Sequence, residues 1–298
     1  MIRVAIALVN YNGYESTRGA IESLLPHLDA NDILLVVDNA STDGSARRLA
    51  ERYPTIEVIG LSENLGYAHG CNAAMDFAVR KGARYLVLAN NDIVFAQDTI
   101  DRLVRTAEVD PKIGLVVPRI YYYNDPQRIW AAGSTVSRVT GLTRQRGMDR
   151  DESEFPAEAV PIDLEMCTGC CMLLRTAIVE SVGRMRDEFF LYYDETDWCW
   201  RIRAAGLRIV LDDRAHIWHK VSETVGVSSP TFWYFLTRSH ILFVHHNFGR
   251  LRRAVALLYF TFILLPHRLL LVQLAHQSAQ SVAMLRGCLS GYRAMITN

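Results

Sequence analysis

The N-terminal part of the chain, through about Pro118, alternates between strand-like and helix-like segments, and this alternation restricts the fold more than any other feature. Short apolar runs that are typical of buried strands lie at residues 3–9, 33–37, 56–61 and 85–88. Segments with helical apolar spacing lie at residues 16–25, 45–53, 68–81 and 99–109. Because strands joined through helices pair in parallel, the pattern predicts an α/β fold with a mostly parallel central sheet and helices on both faces.

Length, charge and cysteine content exclude some classes of protein. The chain has 298 residues, of which 50% are hydrophobic, so it can bury a full core. Its 32 basic and 32 acidic residues balance, which argues against a nucleic-acid partner bound by phosphate neutralisation. The 6 cysteines form no regular framework and no signal peptide is evident, which predicts a cytoplasmic and reduced protein.

Polar residues directly follow two of the predicted strands. The Asn-Asn-Asp triplet at 90–92 ends one strand, and the polar turn at 38–45 ends an earlier one. Ligands of α/β proteins bind beyond the carboxyl ends of parallel strands, so Asp92 is placed to meet a metal ion or a phosphate. Asp38 can accept a hydrogen bond from a ribose hydroxyl or a base, or it can cap an ordinary turn. The chain has no GxGxxG or P-loop motif, so neither a dehydrogenase nor an NTPase is indicated.

Five motifs follow one another along the chain: VDNASTDGS at 37–45, ENLGYA at 63–68, ANNDIV at 89–94, CTGCCMLLR at 167–175 and FFLYYDETDWCWR at 189–201. Together they resemble the motifs of family 2 glycosyltransferases and, more narrowly, of the rhamnosyltransferase-like branch. The resemblance runs from residue 3 to about residue 225. It implies the nucleotide-diphospho-sugar transferase (GT-A) fold, a divalent metal ion, and inversion at the anomeric carbon of the transferred sugar.

Carried over to this sequence, the resemblance assigns donor and metal sites. Asp38 resembles the family's contact to the nucleobase or ribose. The other positions assigned to the donor nucleotide are Asn10, Asn12, Asn64, Asn72 and Asn91. The triplet at 90–92 takes the place of the Asp-x-Asp signature, where Mg²⁺ or Mn²⁺ bridges the diphosphate and a carboxylate. Asp92 is its only charged residue, Asn90 offers an amide oxygen, and His219, or less favourably His216, completes the metal shell.

The acidic stretch Asp194-Glu195-Thr196-Asp197 resembles the branch's Glu-Asp-x-Asp motif with the first pair exchanged. Direct displacement requires a carboxylate that takes the proton of the acceptor hydroxyl, and the alignment places this base at Glu195, with Asp194 as the alternative. Asp197 would bind the acceptor or orient the helix, and Trp198 would contact the acceptor. The same acids are also typical of the first turn of a helix, where the macrodipole stabilises them.

The C-terminal sequence is apolar and helical. Residues 254–265 and 269–275 are apolar, and the triplet Pro266-His267-Arg268 separates them. A membrane-spanning helix needs about 20 apolar residues, so the sequence predicts that neither stretch spans a bilayer. Two alternatives remain for this segment. It packs on the catalytic domain or on a second copy in a homodimer, or it lies on the inner face of the cell membrane as a peripheral contact. In the second case its basic residues lie at the headgroup level: Arg252, Arg253, Arg268 and Arg286.

These observations predict a catalytic domain at residues 1–228, with a nucleotide-sugar half at 1–118 and an acceptor half at 119–228, and a helical region at 229–298. The leading hypothesis is transfer of a sugar, rhamnose among the candidates, from a nucleotide-diphosphate donor. The acceptor would be a glycan, or a glycan on a polyprenyl-diphosphate lipid, in cell-surface polysaccharide assembly. A sugar nucleotidyltransferase is a second hypothesis, although the first strand lacks a glycine- and lysine-rich loop. A non-catalytic subunit that binds sugar nucleotides is a third.

Overall fold

The structure, a computed structural model, describes residues 2–155, 161–221 and 229–297, and a ten-stranded sheet lies at its centre. The strands are β1 (Val4–Asn10), β2 (Ile33–Asp38), β3 (Glu57–Gly60), β4 (Tyr85–Asn90), β5 (Ile93–Phe95), β6 (Ile113–Tyr122), β7 (Asp125–Ala131), β8 (Ser134–Val136), β9 (Thr143–Gln145), β10 (Ile162–Leu164), β11 (Cys171–Arg175) and β12 (Arg208–His219). The helices are α1 (Tyr14–Leu24), α2 (Ser45–Arg52), α3 (Tyr67–Lys81), α4 (Thr99–Val109), α5 (Ala177–Ser181), α6 (Asp194–Ala204), α7 (Pro230–Asn247), α8 (Arg250–Tyr259), α9 (Leu265–Leu274) and α10 (Ser278–Thr297).

The N-terminal strands form a parallel unit in the order β3-β2-β1-β4. Every residue of β1 is buried, and its side chains alternate between two cores. Ala5 and Ala7 pack in the core that contains α3, whereas Ile6 and Leu8 pack in the core that contains α1. The predicted mostly parallel sheet with helices on both faces is confirmed.

The remaining strands extend this sheet beyond β4. β11 lies antiparallel between β4 and β6, and β6 pairs in parallel with β12. The short β5 pairs antiparallel with the end of β12, with Ile93 opposite His219. This pairing brings the end of β12 next to the residues that follow β4, so the triplet at 90–92 and His219 share one edge of the sheet.

The C-terminal helices pack against the sheet unit through α7. Arg238 of α7 donates to the carbonyl of Glu188 at 2.6 Å, and Ser239 donates to the carbonyl of Leu191 at 2.8 Å. Helix α10 packs along α7. The predicted boundary between residues 228 and 229 lies at the end of the segment 222–228, which is outside the described residues.

One continuous helix, Arg250–Leu274, contains both apolar stretches of the C-terminal sequence. The helix continues through Pro266, and a π-helical turn at Phe260–Leu264 ends two residues before the proline. Proline has no N–H to donate to the preceding turn, and a π turn changes the hydrogen-bonding pattern where that donor is missing. By length and composition alone this helix could cross a membrane, and 22% of its apolar window is buried.

Arg268 lies on the side of this helix that faces the protein. Its charge is therefore no argument against a membrane-spanning helix. Leu265 and Val272, on the same face as Arg268, are buried. The opposite face exposes large apolar side chains: Leu258, Phe262, Ile263, Leu270, Leu271 and Leu274.

Candidate active site

The carboxylate of Asp38 lies at the carboxyl end of β2, where Asn10 of β1 is its register partner. Its Oδ1 accepts hydrogen bonds from Nδ2 of Asn10 and from Oγ of Ser41, each at 2.6 Å, and its Oδ2 accepts one from the backbone N–H of Ser41 at 2.9 Å. Asp38 is only 3% exposed. These bonds fix the orientation of the carboxylate, and Oδ2 keeps the capacity to accept a further hydrogen bond from a ligand.

Asn12 joins the loop after β1 to the turn after β2. Its side-chain oxygen accepts hydrogen bonds from the backbone N–H groups of Thr42 at 2.8 Å and Asp43 at 3.3 Å. Asn91 holds the start of the loop after β1, because its Nδ2 donates to Oδ1 of Asn10 at 3.1 Å and to Oγ1 of Thr17 at 2.9 Å. Asn12 is exposed and can reach a nucleotide, whereas Asn91 is buried and orients its neighbours.

Asn72, another residue predicted at the donor site, holds the segment that precedes the acidic motif. Its Nδ2 donates to the carbonyl of Met185 at 2.9 Å and to Asp187 at 2.7 Å, and its Oδ1 accepts from the N–H of Met185 at 3.0 Å. The partly exposed Asn64 accepts a hydrogen bond from the N–H of Gly66 at 3.0 Å. The side chain of Asn72 is therefore occupied by the protein, and that of Asn64 stabilises a turn.

Gly66 allows two of the sequence motifs to touch. It has a φ of 99°, and a Cβ atom here would lie 2.2 Å from the carbonyl oxygen of Phe190. The next residue, Tyr67, donates its N–H to the same oxygen at 2.9 Å. Only glycine permits this approach, which ties the loop at 63–68 to the start of the acidic motif.

Asp92 and His219 form the candidate metal site at the edge shared by β5 and β12. Nε2 of His219 lies 3.2 Å from Oδ1 of Asp92, but the two atoms are not aligned for a hydrogen bond. Both residues are buried, and Oδ1 of Asp92 and Nδ1 of His219 have no hydrogen-bond partner among the described residues. A buried carboxylate oxygen without a partner is costly. A divalent cation between the carboxylate and the imidazole would satisfy it, so these residues fit a metal ion.

The protein offers few ligands for this cation. Across residues 2–155, 161–221 and 229–297, no group of three or more His, Cys, Asp or Glu side chains is arranged to hold a metal. Asn90 is partly exposed at the end of β4 and can add an amide oxygen. His216 lies elsewhere, with Nε2 at 3.2 Å from the carbonyl of Asp213. The remaining ligands would therefore come from a bound diphosphate and from water.

Glu195 and Asp194 begin α6 after two unusual backbone positions. Tyr192 and Tyr193 both have a φ of 63°, a left-handed conformation that costs free energy for residues other than glycine and clusters at functional sites. Burial raises the pKa of Asp194, and burial together with the charge of Asp194 raises the pKa of Glu195 well above its usual value. Glu195 is partly exposed, whereas Asp194 is 2% exposed. Of the two, Glu195 is the better placed to take a proton from a bound ligand.

The motif at 167–175 contacts both Glu195 and the triplet at 90–92. A Cβ atom on Gly169 would lie 3.6 Å from the Cβ of Glu195, and the carbonyl of Gly169 accepts a hydrogen bond from Tyr67 at 2.8 Å. The carbonyl of the next residue, Cys170, accepts a hydrogen bond from the N–H of Asn90 at 2.9 Å. Glu195 and the triplet at 90–92 thus contact the same two-residue segment.

Asp197 and Trp198 are buried, and their polar groups are bonded to the protein. Asp197 has no exposed surface; its Oδ1 accepts hydrogen bonds from Arg186 and from Asn247 at 2.8 Å, and its Oδ2 accepts one from Arg201 at 3.0 Å. Trp198 is also fully buried, and its indole N–H donates to the carbonyl of Gly183 at 2.9 Å. This leaves neither residue a surface for the predicted acceptor contact. For Asp197 it favours the alternative role, which is to orient the helix.

Sequence reasoning did not identify two partners of Asp197. Arg201 lies one helical turn after it, a spacing at which side chains of a helix are neighbours. Arg186 precedes the motif in a loop, and Asn247 ends α7, 50 residues further along the chain. No local sequence signal marks either contact, because both depend on how α6 packs.

Comparison with known proteins supports one family. The family model of glycosyl transferase family 2 matches residues 5–183, which is more than half of the chain. N-acetylglucosaminyl-diphospho-decaprenol L-rhamnosyltransferase of Mycobacterium tuberculosis is 26% identical over 211 residues, or 65% of this chain and 68% of the relative. Low-salt glycan biosynthesis hexosyltransferase Agl10 of Haloferax volcanii is 26% identical over 207 residues, 69% of this chain and 63% of its own. The dTDP-rhamnosyl transferase RfbF of Shigella flexneri is 20% identical over 248 residues, 80% and 79% of the two chains.

Solved structures with a similar fold are glycosyltransferases of the GT-A type. A complex of GalNAc-T7 with UDP, GalNAc and Mn²⁺ has a TM-score of 0.66 at 13% identity and covers 80% of this chain, which spans 47% of that protein. The mannosyltransferase PcManGT of Pyrobaculum calidifontis, in complex with GDP-Man and Mn²⁺, has a TM-score of 0.56 at 16% identity and covers 97% of this chain and 87% of its own. The chain therefore has a GT-A fold, belongs to glycosyl transferase family 2 and is a glycosyltransferase.

Proposed function

We propose that this enzyme transfers a sugar from a nucleotide-diphosphate donor to a hydroxyl group of a glycan acceptor, with inversion at the anomeric carbon. One observation carries the proposal: Glu195 and the triplet at 90–92 both contact the segment Gly169–Cys170, so the candidate base lies near the candidate diphosphate site. A proton acceptor and a diphosphate site on either side of a reacting sugar are what a single displacement needs.

In this reaction the acceptor oxygen bonds to the anomeric carbon while the bond from that carbon to the diphosphate oxygen breaks. The acceptor hydroxyl gives its proton to the carboxylate of Glu195, and the diphosphate leaves with the bonding electrons. The raised pKa of Glu195 makes its carboxylate a better proton acceptor than an ordinary glutamate. A divalent metal ion held by Asp92 and His219, with Asn90 beside them, would neutralise the charge on the leaving diphosphate.

The donor nucleotide would lie beyond β1 and β2. Asp38 can accept a hydrogen bond from the ribose or the base through Oδ2, and the exposed Asn12 lies beside it. Asn10 would orient the carboxylate of Asp38 through its hydrogen bond, and Asn91 would orient Asn10. Rhamnose is the first donor sugar to test, because two of the relatives are named rhamnosyltransferases. Mn²⁺ is the first metal ion, because it accompanies the nucleotides in two of the similar structures.

The acceptor would be a glycan on a polyprenyl diphosphate, in the assembly of a cell-surface polysaccharide. The name of the mycobacterial relative specifies a diphospho-decaprenol substrate, and the helix Arg250–Leu274 exposes an apolar face. We place the catalytic domain at residues 1–228, with its donor half at 1–118 and its acceptor half at 119–228. Residues 229–298 would lie on the cytoplasmic face of the membrane.

Product analysis tests this function directly. The full chain would be incubated with Mn²⁺ or Mg²⁺, a panel of dTDP-, UDP- and GDP-sugars, and glycolipid acceptors, and the products would be identified by mass spectrometry. We expect Glu195→Ala to abolish transfer and to leave nucleotide binding almost unchanged, whereas the exposed control Glu51→Ala retains full activity. Full activity of the Glu195 variant would refute the assigned base. Donor binding without transfer to any acceptor would indicate a non-catalytic subunit.

A further inference from the structure

Three side chains along one face of α7 each have a buried polar atom without a hydrogen-bond partner among the described residues. They are Trp233, Thr237 and His240, whose spacing of four and three residues places them on the same side of a helix. Within the described part of the chain, Nε1 of Trp233, Oγ1 of Thr237 and Nδ1 of His240 have no partner. Most buried polar atoms of native proteins have one, so a row of three points to a group that is not part of the chain.

Arg268 of α9 faces this row. Its guanidinium lies 5.7 Å from the centre of the Trp233 ring, within the range of a cation–π contact. Among the described residues, no Asp or Glu carboxylate comes within 4.0 Å of it. The sequence explains why, because residues 229–298 contain no acidic residue. A partly buried guanidinium without a counterion is costly, and a bound anion would remove that cost.

The protonation of His240 defines the rest of the cluster. Burial lowers its pKa to about 4, so the ring is neutral at physiological pH. Its Nε2 lies 2.8 Å from the carbonyl of Thr140, which can only accept, so Nε2 carries the hydrogen and Nδ1 carries a lone pair. The cluster therefore presents the guanidinium, the indole N–H and the Thr237 hydroxyl as donors, and one nitrogen that accepts from a hydroxyl group.

The cluster lies near the start of the acidic motif. It is on the protein-facing side of the helix Arg250–Leu274, whose other face exposes apolar side chains. The ring of Tyr193, which directly precedes Asp194, lies 5.5 Å from that of His240. Arg268 and Glu195 both contribute to the pKa of Tyr193, so both charged groups lie near this tyrosine. Arg268 and Trp233 are partly exposed, and a ligand can approach the cluster along them. A hydrocarbon chain attached to that ligand could lie on the exposed apolar face of the helix Arg250–Leu274, which contains Arg268.

We propose that Arg268, together with Trp233 and Thr237, binds the diphosphate of a lipid-linked acceptor. The inference rests on the proposed transfer to a glycolipid and adds the residues that recognise its phosphate groups. The guanidinium of Arg268 would orient the acceptor so that the hydroxyl of its sugar reaches Glu195. Arg268 would be a residue that determines acceptor specificity.

Acceptor specificity tests the proposal. Rates would be measured for wild type, Arg268→Gln, Arg268→Lys and the exposed control Arg293→Gln, with one sugar presented either on farnesyl diphosphate or on a phosphate-free farnesyl glycoside. We expect Arg268→Gln to lower kcat/KM for the diphosphate acceptor about tenfold more than for the glycoside, because it removes a charge-assisted contact. Arg268→Lys should restore part of the preference, and the donor KM should not change. Equal losses on both acceptors, or no loss, would overturn the proposal.

A binding measurement keeps this inference separate from the proposed reaction. Farnesyl diphosphate, farnesol and inorganic pyrophosphate would be titrated calorimetrically into the metal-free full chain in detergent. We expect farnesyl diphosphate to bind wild type and Arg293→Gln with equal affinity, and Arg268→Gln at least about tenfold more weakly. Pyrophosphate that binds as tightly as farnesyl diphosphate would identify a free-phosphate site and overturn the lipid assignment. If wild type transfers no sugar but binds in this way, the reaction is wrong and the site stands.

Discussion

Glu195 carries the charge on which both the chemistry and the stability of the site depend. Burial and the neighbouring Asp194 raise its pKa in the folded protein above the value in the unfolded chain. The resulting stabilisation is fully present below the unfolded pKa and is lost as the pH rises through the folded pKa. At neutral pH an ionised Glu195 therefore opposes folding, and the enzyme keeps a carboxylate at a cost in stability.

Substitution by glutamine separates these two effects. Glu195→Gln should abolish transfer and raise the midpoint of thermal unfolding by a few degrees at pH 7.5, because the amide mimics the protonated form. The gain should disappear at pH 4, below the usual glutamate pKa of about 4.3. Scanning calorimetry at both pH values checks this, with the exposed Glu51→Gln as a control that should change neither. A stabilisation that is equal at the two pH values would contradict the raised pKa.

Asp92 and His219 predict that metal and nucleotide bind cooperatively. Because the protein supplies one carboxylate oxygen without a hydrogen-bond partner and one imidazole beside it, the remaining ligands would come from a bound diphosphate and from water. We expect Mn²⁺ to bind about tenfold or more tightly when a nucleoside diphosphate is present, measured by isothermal titration. His219→Ala should remove most of this increase, and His216→Ala should retain it. Identical dissociation constants with and without nucleotide would refute the shared site.

Among the secondary-structure elements, α6 is connected to its neighbours through the buried carboxylate of Asp197. Asp197 receives hydrogen bonds from the loop before the helix, from Arg201 one turn later and from the end of α7. These contacts join the element that bears Glu195 to the helix that bears the polar row described above. The packing of α7 thus influences the position of the candidate base although α7 contributes no acidic residue.

Asp197→Asn tests how strongly this junction holds the elements. The substitution leaves two arginines without their counterion, so we expect a loss of about 2–4 kcal/mol in the free energy of unfolding, measured with urea. The control is Asp76→Asn, which breaks the more exposed ion pair with Arg184 and should cost less than about 1 kcal/mol. Similar losses for the two variants would show that Asp197 is not the junction.

The sequence predicts the donor half of the sheet well because its signals are local. Four apolar strands alternate with helical segments, and strands joined in this way must end at one edge. The positions of Asp38 and Asp92 beyond the sheet therefore follow from the sequence alone. The prediction for Asn72 and Asn91 is less specific, since a buried amide that orients a loop and one that contacts a ligand have the same sequence pattern.

The second half depends on contacts that no local pattern reveals. β6 is not among the predicted strands, and it contains Pro118, which cannot donate a hydrogen bond to a neighbouring strand. The structure accommodates it with an irregularity in β12 between Asp212 and His216. There Asp213 forms a buried ion pair with Arg119, at 2.5 Å. The π turn before Pro266 is a similar local adjustment, and it makes one helix from two predicted stretches.

At the scale of the whole molecule, charge is divided between the two parts of the chain. Residues 229–298 contain seven arginines and no acidic residue or lysine, so a chain with a net charge of zero has a basic end and an acidic remainder. Arg250 and Arg252, on the helix Arg250–Leu274, and Arg286, on α10, are exposed. This combination suits the surface of an anionic membrane.

Vesicle binding tests this arrangement. We expect the full chain to float with liposomes that contain anionic phospholipid. The double variant Phe262→Ser and Leu271→Ser should bind them at least about tenfold more weakly, because both side chains are exposed on the apolar face. Val109→Ser, which removes an equally exposed side chain from α4, should bind like wild type, and all variants should keep their unfolding midpoint. If the chain binds no vesicles and sedimentation shows a dimer that the double variant dissociates, the apolar face is a subunit interface and the membrane assignment is wrong.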